Sequence, residues 1–296
     1  MKYIFILNPC AGKKSRYREY ERQIMEIMKD SDIPYSVYIT EYAGHATALA
    51  KNACESNIFI KIFVFGGDGT VNEAVNGAMG HGNCEIGVFP CGTGNDFVTA
   101  LGYESTTIEK LIDGTAKVCD CYKVNNTYGA NIVSVGFDSE VGRNVIKFKK
   151  IVSGNLAYLF SVAYCFVFKR RLKLRVKIDN KEEIVKSFLF VAAVNGRRYG
   201  GGFVPIPDSE ISDGILDVLL VKNVSRLRML FLIDIYKKGK ITQPKYHKLA
   251  QRHSAESLEI YSEKMFYINI DGEIISATSA IIKIYKNALK FLIPVN

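Results

Sequence analysis

Residues 65–73 read Phe65-Gly66-Gly67-Asp68-Gly69-Thr70-Val71-Asn72-Glu73, and this segment gives the clearest indication of the fold class. It follows a predicted strand at residues 61–65 and leads into a helical segment at residues 71–79. A buried strand that ends in glycines and passes directly into a helix is typical of a βαβ unit with a parallel sheet. The segment therefore predicts a tight glycine turn between a strand and a helix.

The same alternation of strand and helix extends through the first third of the chain. Strands are predicted at residues 3–7, 35–40 and 85–90, and the intervening helices at residues 16–29 and 45–56. Strands separated by helices form parallel sheets that are covered on their faces. We therefore expect an α/β domain with a doubly wound, mostly parallel sheet at residues 1–122, completed by residues 286–296.

The pattern changes after about residue 120. Residues 171–179 alternate between apolar and basic side chains, which is typical of a half-buried antiparallel strand. Further strands are predicted at residues 183–194, 215–221, 257–261, 266–270 and 280–285, and helices at residues 154–168 and 225–238. We therefore expect a second domain at residues 123–285, folded as a mainly antiparallel β-sandwich.

The chain is basic. Its 39 Lys and Arg residues exceed its 30 Asp and Glu residues, which gives a formal net charge of +9. Nucleic acids, anionic membranes and nucleotides are all partners that such a charge favours. The sequence contains no recognised nucleic-acid-binding motif and no interleaving of aromatic and basic residues, which argues against nucleic acid.

Cysteines and apolar segments indicate the compartment. Seven cysteines occur, at positions 10, 54, 84, 91, 119, 121 and 165. An odd number without paired C-x-x-C units disfavours a zinc site or a disulfide framework, so we expect free thiols in a reducing cytosol. The first apolar run is too short for a secretory signal peptide, and the longest one, residues 156–168, is too short to span a bilayer.

Three glycine-containing loops follow predicted strands of the first domain. They read Asn8-Pro9-Cys10-Ala11-Gly12-Lys13-Lys14, Gly66-Gly67-Asp68-Gly69-Thr70 and Pro90-Cys91-Gly92-Thr93-Gly94-Asn95-Asp96. Open α/β sheets bind ligands at the carboxyl ends of their strands. Glycines let the backbone approach a ligand closely, and the N–H groups at a helix start can hold phosphate oxygens. The loops therefore predict a phosphate-binding edge, although their spacing is neither that of a Walker A loop nor G-x-G-x-x-G.

These segments resemble the catalytic domain of the diacylglycerol kinases. The order Asn-Pro-x-x-Gly, Gly-Gly-Asp-Gly-Thr and Pro-x-Gly-Thr-x-Asn-Asp-Phe, which begins at Asn8, Gly66 and Pro90, is similar to that of soluble bacterial diacylglycerol kinases and related sphingosine-kinase-like lipid kinases. Gly-Gly-Asp-Gly alone is shared with NAD kinases and phosphofructokinases. The resemblance extends over the whole chain and is weakest at residues 139–170.

The resemblance implies that the chain transfers the γ-phosphoryl group of ATP to a lipid hydroxyl with the help of Mg²⁺. It assigns nucleotide contacts to Asn8, Pro9, Cys10, Ala11, Gly12, Thr40, Gly66, Gly67, Asp68, Gly69, Thr70, Val71, Asn72, Glu73, Thr93 and Asn95. Asp68 would also lie near the catalytic Mg²⁺, with Asp96 and Asp120 supporting the metal and its water. Whether GTP can replace ATP stays open.

A predicted turn in the second domain carries two further acidic residues. Asp271-Gly272-Glu273 is similar to the catalytic Asp-Gly-Glu of these kinases. The resemblance implies that Asp271 or Glu273 takes the proton of the acceptor hydroxyl, and it leaves open which. An Asp-Gly pair between two alternating strands also predicts a plain hairpin turn, and such a turn can still present its carboxylates to a cleft.

Residues 207–217 form a second acidic loop, which is similar to the structural magnesium loop of the family. The resemblance implies a metal site formed by the Asp213 carboxylate and the backbone carbonyls of Glu210 and Ile215. Oxygen ligands of this kind suit a hard cation. The residues alone favour a plain Asp-Gly turn that enters a strand.

The acceptor that the resemblance favours is diacylglycerol, which would be converted to phosphatidic acid. A sphingoid base, another lipid alcohol or NAD would be a different acceptor for the same chemistry, and the Pro-x-Gly-Thr-x-Asn-Asp-Phe block disfavours NAD. A protein of another class, a catalytically silent nucleotide sensor, is disfavoured by the presence of Asp68, Asp271 and Glu273.

Basic residues flank the apolar segment 156–168, and such residues can contact an anionic membrane. Lys147, Lys149 and Lys150 precede it, and residues 169–171 are basic as well. This pattern suits either peripheral contact with an anionic membrane or a core helix with solvated ends. We expect a cytoplasmic protein that contacts the inner face of the membrane, where its lipid substrate lies; a homodimer is an open alternative to a monomer.

Overall fold

The computed structural model describes residues 1–12, 16–92, 94–149, 151–152, 155–168 and 172–295. The first part of the chain forms β1 (Lys2–Leu7), α1 (Arg16–Met28), β2 (Tyr35–Ile39), α2 (His45–Cys54), β3 (Ile60–Gly66), α3 (Asp68–Ala78), β4 (Cys84–Pro90), α4 (Asp96–Leu101), α5 (Ile108–Ile112) and β5 (Thr115–Val124). The second part forms β6 (Thr127–Gly129), β7 (Ile132–Gly136), α6 (Phe137–Phe148), α7 (Asn155–Val167), β8 (Leu172–Ile178), β9 (Ile184–Val194), β10 (Leu216–Lys222), α8 (Arg226–Lys237), β11 (Ala250–Ala255), β12 (Ser257–Ile270) and β13 (Glu273–Ile293).

Strands β1 to β4 form the parallel sheet that the sequence predicts. Strand β1 lies between β2 and β3, so that Phe5 is beside Val37 on one side and Phe63 on the other, and β4 continues the sheet beyond β3. Phe5 and Phe63 are almost fully buried. Burial of consecutive apolar residues is expected for parallel strands that are covered on both faces.

Helices cover both faces of this sheet. Helices α1 and α5 pack on one face, where Ile24 and Leu111 join the aromatic cluster around Phe63. Helices α2, α3 and α4 pack on the other face. Helices α2 and α3 approach so closely that a Cβ on Gly77 would lie 2.3 Å from the carbonyl oxygen of Thr47. The predicted doubly wound α/β architecture is therefore confirmed.

The second domain is the predicted, mainly antiparallel β-sandwich. Strands β11, β10, β9, β7, β12 and β13 follow one another, and β8 pairs with both β12 and β9. Alternate side chains of these strands point inward, and Leu174, Val176 and Ile268 lie in the same buried cluster. Helix α8 covers the outer face of the sheet through Met229 and Leu232.

Strand β13 runs through both domains. It pairs with β12 from Glu273 to Lys283, with β5 as far as Ile293, and in parallel with β4 at Phe291 and Leu292. It thereby joins the β-sandwich to the parallel sheet. The predicted domain boundary at residue 122 falls inside β5 and stays a prediction.

Some elements differ from the sequence-based expectations. The separate strands expected at residues 257–261 and 266–270 are one strand, β12, with an irregularity between Tyr261 and Phe266. The polar residues between them interrupt the alternation on which the prediction depended. Strands β5, β6, β7 and β11 and helices α4, α5 and α6 were not predicted, because their apolar periodicity is short or mixed. Among the described helices, none is long and apolar enough to cross a membrane.

Candidate active site

The three glycine loops meet at the carboxyl ends of β1, β3 and β4. Asn8 Nδ2 donates a hydrogen bond to Thr70 Oγ1 at 2.8 Å, which joins the first loop to the second. The first and third loops are in contact, since a Cβ on Gly12 would lie 2.5 Å from the carbonyl oxygen of Cys91. Gly12 has a φ of 65°, a conformation that glycine adopts without steric penalty. Side chains from distant parts of the sequence are thus brought to one edge of the sheet.

Helix α3 begins at the middle loop. Gly67 has an extended backbone and precedes Asp68, the first residue of the helix. A Cβ on Gly92 would lie 2.6 Å from Gly67 Cα, so the third loop lies directly against this helix start. Asn95 Oδ1 accepts the N–H of Gly92 at 2.8 Å and fixes that loop. The first N–H groups of a helix lack partners within the helix, and the α3 N-terminus can therefore hold phosphate oxygens.

Two carboxylates flank Gly94 beside this helix start. A Cβ on Gly94 would lie 2.8 Å from Asp68 Oδ2 and 3.4 Å from Asp96 Oδ2. Asp68 Oδ1 accepts the N–H of Phe97 at 3.2 Å, and the backbone N–H of Asp96 also interacts with this carboxylate. Burial raises the pKa of Asp68 to about 6, and the Asp96 and Asp271 carboxylates contribute to the rise. Negative charge is therefore concentrated next to the proposed phosphate site.

The second domain contacts the Asp96 carboxylate through a further glycine loop, residues 200–202. Asp96 Oδ2 accepts the N–H of Gly201 at 2.9 Å. Nearby, the Arg198 guanidinium lies 3.2 Å from Glu104 Oε1. These contacts cross from the first domain to the second, so the Asp68 carboxylate lies where the two domains face each other.

Asp271 occupies the turn between β12 and β13 and has a φ of 49°. Its Oδ1 accepts the hydroxyl of Tyr122 at 2.6 Å and the N–H of Ile132 at 2.7 Å. Its Oδ2 accepts the N–H of Ala130 at 2.7 Å, and the N–H of Asn131 lies 3.1 Å from Oδ1. An ionised carboxylate has about four lone-pair sites, and these donors occupy them.

A fifth donor to Asp271 comes from the nucleotide-binding domain. Asn72, in helix α3, donates from Nδ2 to Asp271 Oδ2 at 3.2 Å. Burial raises the pKa of Asp271, whereas the Tyr122 hydroxyl and the backbone N–H groups oppose that rise. The carboxylate therefore fastens the hairpin to helix α3 and to the segment before β7. In this geometry it has no lone pair left for the proton of an acceptor hydroxyl.

Glu273 lies two residues further on and differs from Asp271 in its exposure and its hydrogen bonds. Its side chain is exposed, and no hydrogen bond among the described residues engages its carboxylate. Partial desolvation raises the pKa of Glu273, and the Glu73 and Asp271 carboxylates raise it further. Of the two acidic residues in the turn, Glu273 is the one whose oxygens are free to meet a substrate.

Other residues that the sequence assigned to the nucleotide have structural contacts. Glu73 accepts the N–H of Gly44 at 2.8 Å and that of Ala46 at 3.1 Å, so its carboxylate caps helix α2. The N–H of Thr40 donates to the carbonyl of Leu7 at 2.9 Å, which places Thr40 at the sheet edge beside the first loop.

The first loop is closed by its own residues, and Val71 points away from the site. The N–H of Cys10 donates to Asn8 Oδ1 at 2.8 Å, and the N–H of Ala11 donates to the Asn8 carbonyl at 3.1 Å. Val71 is buried in the core between the sheet and helix α2. Thr93, Lys13 and Lys14, also expected at the phosphates, lie outside the described residues.

The comparisons with known proteins agree with this arrangement. Residues 2–124 match the diacylglycerol kinase catalytic domain, and residues 131–293 match the YegS C-terminal NAD kinase beta sandwich-like domain. The chain is 32% identical to a protein of Staphylococcus carnosus (strain TM300) that is provisionally named a lipid kinase, over 98% of this chain and 95% of that protein. It is 30% identical to the diacylglycerol kinase of Bacillus subtilis (strain 168), over 90% of this chain and 88% of that protein.

The chain belongs to the diacylglycerol kinase family of lipid kinases.

Solved structures of Bacillus anthracis (strain Sterne) proteins share the fold of this lipid kinase. One, provisionally named a diacylglycerol kinase, superposes with a TM-score of 0.78 at 21% identity and covers 98% of this chain and 96% of its own. Another, named a diacylglycerol kinase, gives a TM-score of 0.73 at 20% identity with the same coverage. At this level of identity the similarity shows the common fold.

The predicted metal loop of the kinase is a turn with one available carboxylate. Asp213 Oδ1 accepts the N–H of Ile215 at 2.9 Å. Burial raises the pKa of Asp213, and the Asp217 and Asp120 carboxylates add to the rise. The Glu210 carboxylate is paired with Arg197, so only the backbone carbonyl of Glu210 remains for a cation, as the resemblance implied.

Asp120, on strand β5, contacts this loop and not the Asp68 carboxylate. Its Oδ2 accepts the N–H of Gly214 at 2.6 Å, and its Oδ1 accepts the N–H of Asn287 at 2.7 Å. The expectation that Asp120 supports the catalytic metal therefore has no counterpart in its contacts, because both oxygens hold backbone N–H groups. Asp120 instead ties the metal loop to the irregular part of β13.

The donor groups at Asp68 fit a divalent cation. Among the described residues, no three His, Cys, Asp or Glu side chains converge on one metal position. However, the Asp96 carboxylate raises the pKa of Asp68, and a bound cation would reverse that repulsion. Mg²⁺ usually takes one or two protein carboxylates and completes its shell with water and substrate phosphates. The residues present are sufficient for that mode of binding.

Sequence reasoning missed three buried polar residues that build the site. Tyr122 and Asn131 supply donors to Asp271. Asn195 donates from Nδ2 to the carbonyls of Asp120 and Ala130, at 3.0 and 2.7 Å. For Asn131 and Asn195 the available signal was a polar side chain next to an apolar strand, directly before β7 and directly after β9, because such a group must find hydrogen-bond partners when it is buried.

Proposed function

We propose that this kinase transfers the γ-phosphoryl group of ATP to the hydroxyl of a membrane lipid, with diacylglycerol as the first candidate acceptor. The observation that carries the proposal is the position of the Asp68 carboxylate. It lies at the N-terminus of α3, beside Asp96. It is also close enough to the second domain for the Asp271 carboxylate to raise its pKa. Phosphoryl transfer depends mainly on positioning and on neutralising charge, and this edge offers both.

The nucleotide phosphates would lie on the loops around α3. The first N–H groups of the helix, together with the hydroxyl of Thr70 that Asn8 orients, supply donors. Asp68 and Asp96 would hold Mg²⁺, which neutralises the charge of the phosphates when it is bound. Asn95 keeps the third loop closed against this helix start. Thr40 lies at the adjacent sheet edge, beside the first loop, where it would contact the nucleotide.

Glu273 is proposed to orient the acceptor hydroxyl and to take its proton. A general base must come within hydrogen-bond reach of that proton, and the Glu273 carboxylate is exposed with its oxygens unengaged among the described residues. Its raised pKa favours proton uptake. Asp271, whose oxygens are already occupied, would act as a positioning residue that fixes the turn.

The acceptor follows from the relatives. One relative is named diacylglycerol kinase, which makes a neutral glycerolipid the first candidate; a sphingoid base or another lipid alcohol is second. We further propose that the kinase works at the cytoplasmic face of the membrane, where such a lipid would be presented. GTP, a structural Mg²⁺ at Asp213 and a homodimer are subsidiary hypotheses.

A transfer assay tests the proposal. Purified kinase would be incubated with γ-labelled ATP, Mg²⁺ and, separately, diacylglycerol, sphingosine, a monoacylglycerol and NAD, with the lipids in neutral detergent micelles. We expect label in phosphatidic acid and none in NAD. Asp68→Ala serves as the inactive control. Label in NAD alone, or no label with any acceptor while ATP still binds, would refute the lipid kinase assignment for this chain.

A further inference from the structure

A cavity of about 600 Å³ lies in the second domain, between helices α6 and α7 and strands β8, β9 and β12. Its volume is in the range of about 300–1,000 Å³ that is typical of small-molecule sites. Its lining includes none of the residues of the glycine loops. The function proposed above therefore leaves this cavity unexplained.

The cavity has an apolar interior and an open, apolar rim. Leu189 and Phe266 line it and are almost fully buried. Phe168 and Met265 line it as well, yet they are 61% and 66% exposed and mark its mouth. Large apolar side chains at an opening are typical of sites that receive an apolar ligand. A chain of methylene groups could enter past this rim.

The same lining carries positive charge. Arg143, Lys147 and Lys264 face the cavity, together with a single acidic residue of the described lining, Glu140. Arg143 is already engaged, since it lies 3.7 Å from Glu140 and 4.3 Å above the ring of Tyr267. Lys147 and Lys264 are exposed and form no ion pair with the described residues. Two lysines are therefore available for an anionic group at the mouth.

Helix α6 separates this cavity from the catalytic turn. Glu140 and Asn144 line the cavity. Gly142 lies two residues from each, and therefore points about 200° away at 3.6 residues per turn. A Cβ on Gly142 would lie 2.9 Å from Ile274 Cδ1, beside Glu273. The helix therefore stands between the cavity and the carboxylate that would receive the acceptor hydroxyl.

We propose that this cavity binds one anionic lipid as a ligand distinct from the acceptor. An acyl chain would occupy the apolar interior, and the headgroup phosphate would lie at Lys147 and Lys264. A neutral diacylglycerol carries no charge for these lysines to pair with, so charge complementarity selects an anionic lipid. Helix α7 extends the rim with Leu159, 62% exposed, and Phe160, 49% exposed, which would face the membrane that supplies the lipid.

A fluorescence experiment tests this inference without relying on kinase activity. The chain contains no tryptophan, so Leu172→Trp places one indole reporter in the cavity lining. Brominated phosphatidylglycerol and brominated phosphatidylcholine would be titrated in neutral detergent micelles. We expect the anionic lipid to quench the indole at a concentration about 10-fold or more below that of the zwitterionic lipid, since each lysine near a headgroup contributes about 1 kcal/mol.

Matched variants separate the cavity from general surface charge. In the reporter background, Lys147→Glu should remove the preference for the anionic lipid. Lys149→Glu, at the C-cap of the same helix but outside the lining, should preserve it. Phe231→Trp on α8, 75% exposed, reports adsorption to the micelle, and Met265→Trp is a second cavity reporter if Leu172→Trp does not fold. Equal quenching by the two lipids, equal effects of the two lysine variants, or quenching confined to Phe231→Trp would overturn the proposal.

Discussion

Two carboxylates that the sequence placed in the same catalytic group have opposite environments. Asp271, in the second domain, accepts hydrogen bonds from one hydroxyl, three backbone N–H groups and one amide. Asp68, in the first domain, interacts with the backbone N–H groups of Phe97 and Asp96 and faces the Asp96 carboxylate. Asp271 is buried and Asp68 is partly buried, but only Asp271 has its oxygens fully occupied by donors of the protein itself. The difference teaches that a buried carboxylate without enough internal donors is the better candidate for a bound cation.

The strongest test of this contrast is Asp68→Ala. If Asp68 serves a cation and not the fold, its removal should lower kcat by about 10⁴-fold, because a metal that neutralises transferring phosphates is worth several kcal/mol. The melting temperature should be unchanged or slightly higher, since repulsion from Asp96 is lost. Labelled-phosphate transfer and thermal unfolding would measure the two effects. A variant that melted far below wild type would place Asp68 with Asp271 as a structural residue.

Glu273→Gln extends the comparison to the neighbour of Asp271. A positioned general base contributes about 10²–10⁴-fold, so we expect kcat to fall on that scale while ATP affinity stays near normal. The fold should be intact because the Glu273 side chain is exposed. Steady-state kinetics with equilibrium ATP binding would show this pattern. Wild-type turnover in the variant would require another base.

Asp271→Asn should act mainly on stability. Asparagine replaces one of the two carboxylate oxygens by an NH2 group, so either the N–H of Ala130 or that of Ile132 would face a donor, and the other would keep only an uncharged acceptor. We expect a loss of about 3 kcal/mol in the free energy of unfolding and a melting temperature about 6–12 °C lower. Chemical and thermal denaturation would measure it, with Glu273→Gln as the control. An unchanged melting temperature would show that the turn does not depend on these hydrogen bonds.

The pH dependence of stability is a further test of the environment of Asp68. The pKa of Asp68 is about 6 in the folded protein, against a value of 3.8 for the free side chain. The folded state therefore binds the Asp68 proton more tightly than the unfolded state does. The stability that this proton contributes is present at low pH and is lost as pH rises from about 4 to about 6. Without Mg²⁺, wild type should lose about 2 kcal/mol more than Asp68→Asn over this window. Parallel urea titrations would fail to support the prediction if the two pH profiles coincided.

The smallest expected effect is at Asp213, whose environment is intermediate between those of Asp271 and Asp68. One of its oxygens accepts a backbone N–H, and nearby carboxylates raise its pKa. If the loop holds a structural cation, Mg²⁺ should raise the melting temperature of wild type by about 2–4 °C, corresponding to about 1 kcal/mol. When both proteins also carry Asp68→Asn, which removes the other proposed Mg²⁺ site, Asp213→Ala should abolish that response. The same Mg²⁺ response in both proteins would leave the loop as a plain turn.

Much of the architecture could be predicted from the sequence because it depends on local pattern. Apolar runs such as residues 3–7 and 62–65 specify parallel strands, and the glycine loops that follow them come together because the strand ends share a sheet edge. The order of the three motifs likewise predicted the kinase family. None of these inferences required knowledge of a long-range contact.

The roles of individual carboxylates could not be predicted in the same way. Whether Asp271 or Glu273 faces the substrate depends on donors that lie about 140 to 200 positions away in sequence, such as Ala130 and Asn72. The same is true of Asp120, which contacts Gly214 and Asn287. Motif spacing carries no information about such partners.

Strand β13 has a consequence for how the molecule is made. It supplies the neighbour of both β4 and β5 at Phe291 and Leu292, and those residues leave the ribosome about 170 positions after β5 ends at Val124. At about 5–20 residues per second, the first sheet would wait roughly 8–35 seconds with the edges of β4 and β5 unpaired. Such open edges attract other chains. During translation, the nascent first half is therefore the stage at which a holding chaperone would contribute most to yield.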